Sequence, residues 1–206
     1  MIVFAMPRRR LLPTCDLTLH LGRQATFRLL EDAYSNGAEV FLATAEQDRL
    51  RPIGVVARIM TLSRIPSRRQ GEDSEDRALL RGLRRARLAA PASTDTKESA
   101  IVRLDENPPR QLAAAEEESL VRVSEAVTRW RSARHSVGVR GAIPVDATRD
   151  PISRLYRLAV YEEAASWTRQ ALLETDDLRR KAEILVEAFQ EELDLEALEA
   201  RIVRRL

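Results

Sequence analysis

The sequence predicts an α+β protein built from two unlike halves, and three observations carry that reading. Residues 1–106 hold short apolar runs broken by Pro, Gly and polar clusters, the texture of strands and turns. Residues 112–206 hold longer segments with apolar side chains three and four positions apart, the texture of helices. Between them stands Glu106-Asn107-Pro108-Pro109, where tandem prolines block a helix and favour an extended connector. The expected division is a β lobe over 1–108 and a helical lobe over 109–206.

Each element follows from local pattern. Ile2 to Met6 is an apolar run that Pro7 stops. Leu17, Leu19 and Leu21 alternate with Thr18 and His20, as in a half-buried strand. A helix fits Ala25–Tyr34, with Phe27, Leu30 and Tyr34 on one face and Asn36-Gly37 to end it. Strands fit Glu39–Thr44, Ile53–Leu62 and Ile101–Leu104, and Ser67–Asp76 is polar enough for an exposed hairpin loop. Ala78–Leu88 is ambiguous. Its apolar spacing slightly favours helix, while the alternation around Gly82 also fits a strand.

In the second half, Leu120, Val123, Val127 and Trp130 share a helical face behind the acidic turn Glu116-Glu117-Glu118, which suits the positive end of a helix dipole. Val137–Thr148 reads as a loop. Asp150-Pro151 then opens a helix, because Asp caps and Pro fits the first position. Ala164–Leu173 follows, with Trp167 and Ala171 one turn apart. Thr175 or Asp176 caps a last helix whose stripe Leu178, Ala182, Leu185, Phe189, Leu193 gives way to a rotated one, Leu195, Leu198, Ile202, Leu206. Either this helix breaks near Asp194 or its second stripe meets a different partner.

Composition excludes several classes of function. The 206 residues are 44% hydrophobic and 32% charged with a net charge of +2, a normal globular balance. No phosphate-cradling glycine loop, nucleophile elbow or metal-binding helix motif occurs. Two histidines, His20 and His135, and one cysteine, Cys15, offer no metal-ligand spacing. Lys97 and Lys181 sit in polar or charged runs and are expected at the solvated surface. Cys15 reads as a half-buried small apolar residue. His20 is expected at the surface, and His135 at a helix end. No apolar run is long enough to span a bilayer, and a single cysteine suits the cytoplasm. No enzyme, cofactor or metal is expected.

The residues in order resemble the N-terminal substrate-binding domain of the Lon ATP-dependent proteases. Pro7-Arg8-Arg9 resembles the opening P-x-R, and Pro13 followed by Gly22-Arg23 resembles the family's P-(x8)-G-R segment. Ile53–Ile59 resembles its glycine–alanine strand, and Leu79–Leu88 its most recognisable strand pair. Leu172–Ile202 resembles the long closing helix that leads on towards the ATPase ring. There are departures: Pro7 and Pro13 stand two residues closer than usual, Thr18 replaces a second proline, 67–76 is long, and the ATPase and peptidase modules are absent. The resemblance implies a twisted, PUA-like pseudo-barrel β lobe with the 25–34 helix packed on it, then a helical bundle. It also implies that Ala78–Leu88 is strand.

Function then divides into two readings. The resemblance implies a non-catalytic module that binds unfolded or degron-bearing polypeptides, free-standing or as a piece of a Lon protease. Its initial Met and terminal helix slightly favour the free-standing form. Trp130, Tyr156, Tyr161 and Trp167 are the candidate contacts, although Trp130 and Trp167 lie on apolar stripes that more often pack in a core. Partners would be such polypeptides, and ATPase or protease modules or a second copy through the last helix. The alternative is an RNA-binding domain using Arg8, Arg9, Arg10, Arg64, Arg68, Arg69, Arg81, Arg84, Arg85 and Arg87 on phosphate. Glu72, Asp73, Glu75 and Asp76 offset that charge, and few aromatics accompany it.

Overall fold

The computed structural model describes residues 1–6, 10–21, 24–64, 76–104, 111–134 and 150–203. Pro7-Arg8-Arg9, Gly22-Arg23, the loop 67–75, the prolines at 108–109, His135, the loop 137–148 and Leu206 lie outside the described residues. The chain divides into two compact units, Met1–Glu106 and Asn107–Leu206.

The first unit is a mixed sheet. Its strands are β1 (Ile2–Met6), β2 (Asp16–Leu21), β3 (Glu39–Glu46), β4 (Arg49–Leu50), β5 (Ile53–Ser63), β6 (Asp76–Leu88) and β7 (Ile101–Arg103). The order is β1-β3-β5-β6-β2, with β4 on β3 and β7 on β6. β1 and β3 run parallel, and the other pairs are antiparallel. The path does not return on itself, so the sheet is open where the resemblance implied a pseudo-barrel. Val3, Phe41, Val56, Ala86 and Leu88 form its core cluster. The alternating side chains of β3, β5 and β6 deliver them to one layer.

Ala78–Leu88 is strand, and the helical count fails there for a physical reason. Val56 faces Arg84 and Ala57 faces Gly82, so Leu83 is an extra residue, a β-bulge that disturbs simple alternation. Gly82 is required by a close approach. A β-carbon there would stand 2.3 Å from the Leu12 carbonyl oxygen and 3.2 Å from Pro13 Cα. The same two segments are tied by Thr14 N–H to Gly82 O and Gly82 N–H to Cys15 O, each at 2.9 Å. Cys15 is buried in this turn.

Helix α1 (Gln24–Ser35) packs on the sheet through Phe27, Leu30 and Ala33. Tyr34, expected on that face, is exposed, because it sits in the last turn where the helix gives out. Gly37 follows in the left-handed conformation with φ +62°, where glycine has no β-carbon penalty.

The second unit is α2 (Ala114–Arg134), α3 (Pro151–Tyr161), α4 (Ser166–Glu174) and α5 (Leu178–Val203). Glu116 in the acidic first turn of α2 accepts a hydrogen bond from Ala113 N–H at 2.9 Å, one half of a capping box. Asp150 caps α3 by accepting from the N–H groups of Ile152 and Ser153, both at 3.1 Å. For α5 the cap is Asp177, one or two residues beyond the expected Thr175 or Asp176. Asp177 takes the Arg180 N–H at 2.7 Å, while the Thr175 hydroxyl closes the end of α4 on Ala171 O. α5 runs unbroken past Asp194.

Candidate functional site

The four candidate aromatics separate into two pairs. Trp130 is buried on α2, tilted at 52° against Phe189 of α5 with ring centres 5.5 Å apart. Its indole N–H donates to Glu192 at 2.8 Å. Tyr156 is fully buried on α3 and accepts from the Lys181 ammonium at 2.8 Å. Both are core residues with satisfied polar handles, so neither offers surface to a partner.

Lys181 itself corrects the expectation of a solvated charge. It has no exposure, donates also to Leu172 O at 2.5 Å, and stands 4.8 Å from the centre of the Tyr156 ring. A buried ammonium needs such donors' partners on every side, and here the C-terminal turn of α4 and the Tyr156 phenol supply two. Nothing in the charged run Asp177–Glu183 distinguishes this residue from its exposed neighbours Arg179 and Arg180.

Tyr161 and Trp167 form the second pair and are exposed by 51% and 57%. They flank the corner between α3 and α4. The corner is a Schellman turn: Ala164 N–H bonds to Ala159 O, and Glu163 N–H to Val160 O. Glu163 takes the left-handed position with φ +56°, where glycine is usual, and Ala164 is buried behind it. Glu162, nearly buried, accepts from Arg131 of α2, which fastens the corner to the bundle. Two large apolar rings are thereby held in solvent by a rigid turn. The expected stripe Trp167–Ala171 is not the packed face of α4, because Thr168, Leu172 and Leu173 take that role.

A groove of about 720 Å³ runs along α2 from Leu120 and Val121 to Arg129, with Arg154 of α3 at its wall. None of the four aromatics lines it. Among the described residues, no cluster of three His, Cys, Asp or Glu side chains could hold a metal ion. No helix among them is long and apolar enough to cross a membrane.

The arginines of the first unit are largely engaged with acids. Arg81 makes a two-pronged pair with Asp16 at 2.8 and 2.9 Å. Arg84 meets Glu39 at 2.5 Å, and its hydrogen bond holds the Glu39 carboxyl below the ordinary carboxylate value. Arg64 pairs with Asp76 at 3.3 Å and lies over the Phe27 ring. Arg85 is buried. Arg8, Arg9, Arg68 and Arg69 lie outside the described residues.

An open mixed sheet followed by a helical unit, with paired surface charge and a rigid aromatic corner, defines a class of binding domain. The chain belongs to one such family: the model of the ATP-dependent protease La (LON) substrate-binding domain matches residues 1–191. Lon protease 3 of Sorangium cellulosum is 28% identical over 205 residues, 93% of this chain and 24% of that protein. Lon protease of Escherichia coli K12 is 24% identical over 94% of this chain and 25% of its own length. The chain thus spans about a quarter of the curated relatives it matches. The fold is that of the N-terminal domain of Mycobacterium avium complex Lon protease, with TM-score 0.65, 21% identity, and 92% and 97% of the two chains covered. A Lon N-terminal domain protein from Xanthomonas campestris matches with TM-score 0.63, 17% identity, and 91% and 96% covered.

Proposed function

We propose that this chain is a non-catalytic, cytoplasmic polypeptide-binding module that takes unfolded or degron-bearing segments through Tyr161 and Trp167. The family match to a substrate-binding domain supports the class of ligand. The observation that carries the site is the exposed aromatic pair on either side of the α3–α4 corner. An unfolded chain offers apolar side chains, and rigid rings already held in solvent bind them with little side-chain ordering cost. Within a longer Lon protease the same surface would serve selection of substrates for the ATPase and peptidase modules.

The test is fluorescence anisotropy with a labelled unfolded polypeptide and a labelled single-stranded RNA, each at low and physiological salt. Saturable polypeptide binding that persists at physiological salt is expected. RNA binding alone, falling steeply with salt as counterion release requires, would overturn the reading.

A further inference from the structure

The far end of α5 projects from the bundle with an apolar stripe of its own. From Asp194 to Ile202 no residue is buried, a length of about 13 Å at ~1.5 Å per residue. Leu195, Leu198 and Ile202 are all more than half exposed and recur at spacings of three and four. In heptad terms they are successive a, d and a positions, a seam that another helix can pack against. The packed part of the helix ends just before, where Glu192 takes the Trp130 indole N–H.

The charge around this seam restricts what can cover it. Between Lys181 and Arg201 the helix carries seven acids and no base. Of the positions flanking the seam, Glu192, Asp194 and Glu199 are acidic and only Arg201 is basic. A second copy docked in parallel would set Asp194 against Glu199 twice. Docked antiparallel with Leu198 opposite Ile202, it would set the two Glu199 side chains together. Nucleic acid and anionic membrane surfaces are repelled by the same acids.

We infer that the distal α5 face is a docking site for a basic amphipathic helix of another protein, with Lys or Arg beside an apolar stripe. The apolar seam supplies affinity, and the acids at its flanks select the partner's charge. This site lies on a different helix from the aromatic corner and does not depend on it.

Three labelled synthetic peptides test it at physiological salt. One carries Leu at a and d with Lys at e and g, one has Glu at e and g instead, and the third is a scrambled form of the Lys peptide. The patterned Lys peptide is expected to bind the full chain at least about tenfold more tightly than either control. Leu195→Gln with Leu198→Gln should weaken that binding about tenfold or more, whereas Ala200→Gln on the opposite face should not. Circular dichroism checks that both variants stay folded, as expected where no core contact is altered. Equal binding of the patterned and scrambled Lys peptides, or equal binding of the Lys and Glu peptides, would overturn the inference. So would a dimer, seen by sedimentation, that Leu198→Gln dissolves, because the occupant would then be a second copy.

Discussion

Gly82→Ala should be among the most damaging single-methyl changes available in the first unit. The added β-carbon would lie 2.3 Å from the Leu12 carbonyl oxygen, 3.0 Å from the Leu12 carbonyl carbon and 3.2 Å from Pro13 Cα. Ordinary contacts of this kind are roughly 1 Å longer than the shortest of these. All three atoms are backbone, so no side-chain rotation relieves the clash. The segments cannot simply separate, because the two 2.9 Å hydrogen bonds between Gly82 and Thr14 and Cys15 clamp them together. Overpacking costs about 1–3 kcal/mol where neighbours can yield. Loss of the two clamping bonds adds about 1 kcal/mol each. The expected destabilisation is therefore about 3–5 kcal/mol, or a fall in melting temperature of roughly 15 °C or more for a unit of this size. Gly37→Ala is the internal comparison. Nothing lies within 4 Å of its β-carbon, so only the left-handed backbone is penalised, at about 1 kcal/mol. Urea unfolding followed by far-UV circular dichroism measures both. Equal losses at the two glycines would refute the close-approach argument.

Further perturbations test other links. Asp150→Ala removes the acceptor for two helix-opening N–H groups and should cost about 1 kcal/mol by urea unfolding. Arg131→Ala leaves the nearly buried Glu162 carboxylate without its guanidinium partner. Because Arg131 keeps some solvent, the loss should be about 2 kcal/mol, below that of a fully buried pair, with faster amide exchange at the α3–α4 corner. Glu39 has a lowered carboxyl pKa through Arg84, so its ionised form stabilises the fold. That contribution is complete above the ordinary value of 4.5 and is lost as pH falls through the lower folded value. Unfolding curves of Glu39→Gln should lie below wild type at neutral pH and converge with it in acid.

Most of the strands were legible because their signal is local. The β3, β5 and β2 patterns are short runs bounded by turn residues, and the structure places strands there with ends shifted by at most two residues. β4 was not, since two residues carry no periodicity. Ala78–Leu88 defeated simple counting because a bulge at Leu83 breaks the alternation that strands are recognised by. The site was less legible than the fold. Trp130 and Trp167 both stand on apolar helical stripes, yet only Trp130 faces a neighbour, Phe189, sixty residues away in the chain. Helical spacing tells which residues share a face but not which face another helix will cover. Lys181 was missed for the same reason: its partners, the Tyr156 hydroxyl and the Leu172 carbonyl, come from other helices. Asp177 displaced the nearer capping candidates because Thr175 was already used to finish α4.

The central claim is that polypeptide binding runs through the exposed corner rings. The most direct measurement is the anisotropy titration of a labelled unfolded polypeptide against wild type and the Tyr161→Ala/Trp167→Ala double variant. Both rings are exposed, so the variant should unfold at the wild-type urea concentration. Truncating two aromatic contacts is expected to weaken binding about tenfold or more. An unchanged affinity in the folded double variant would contradict the account and move the site elsewhere on the domain.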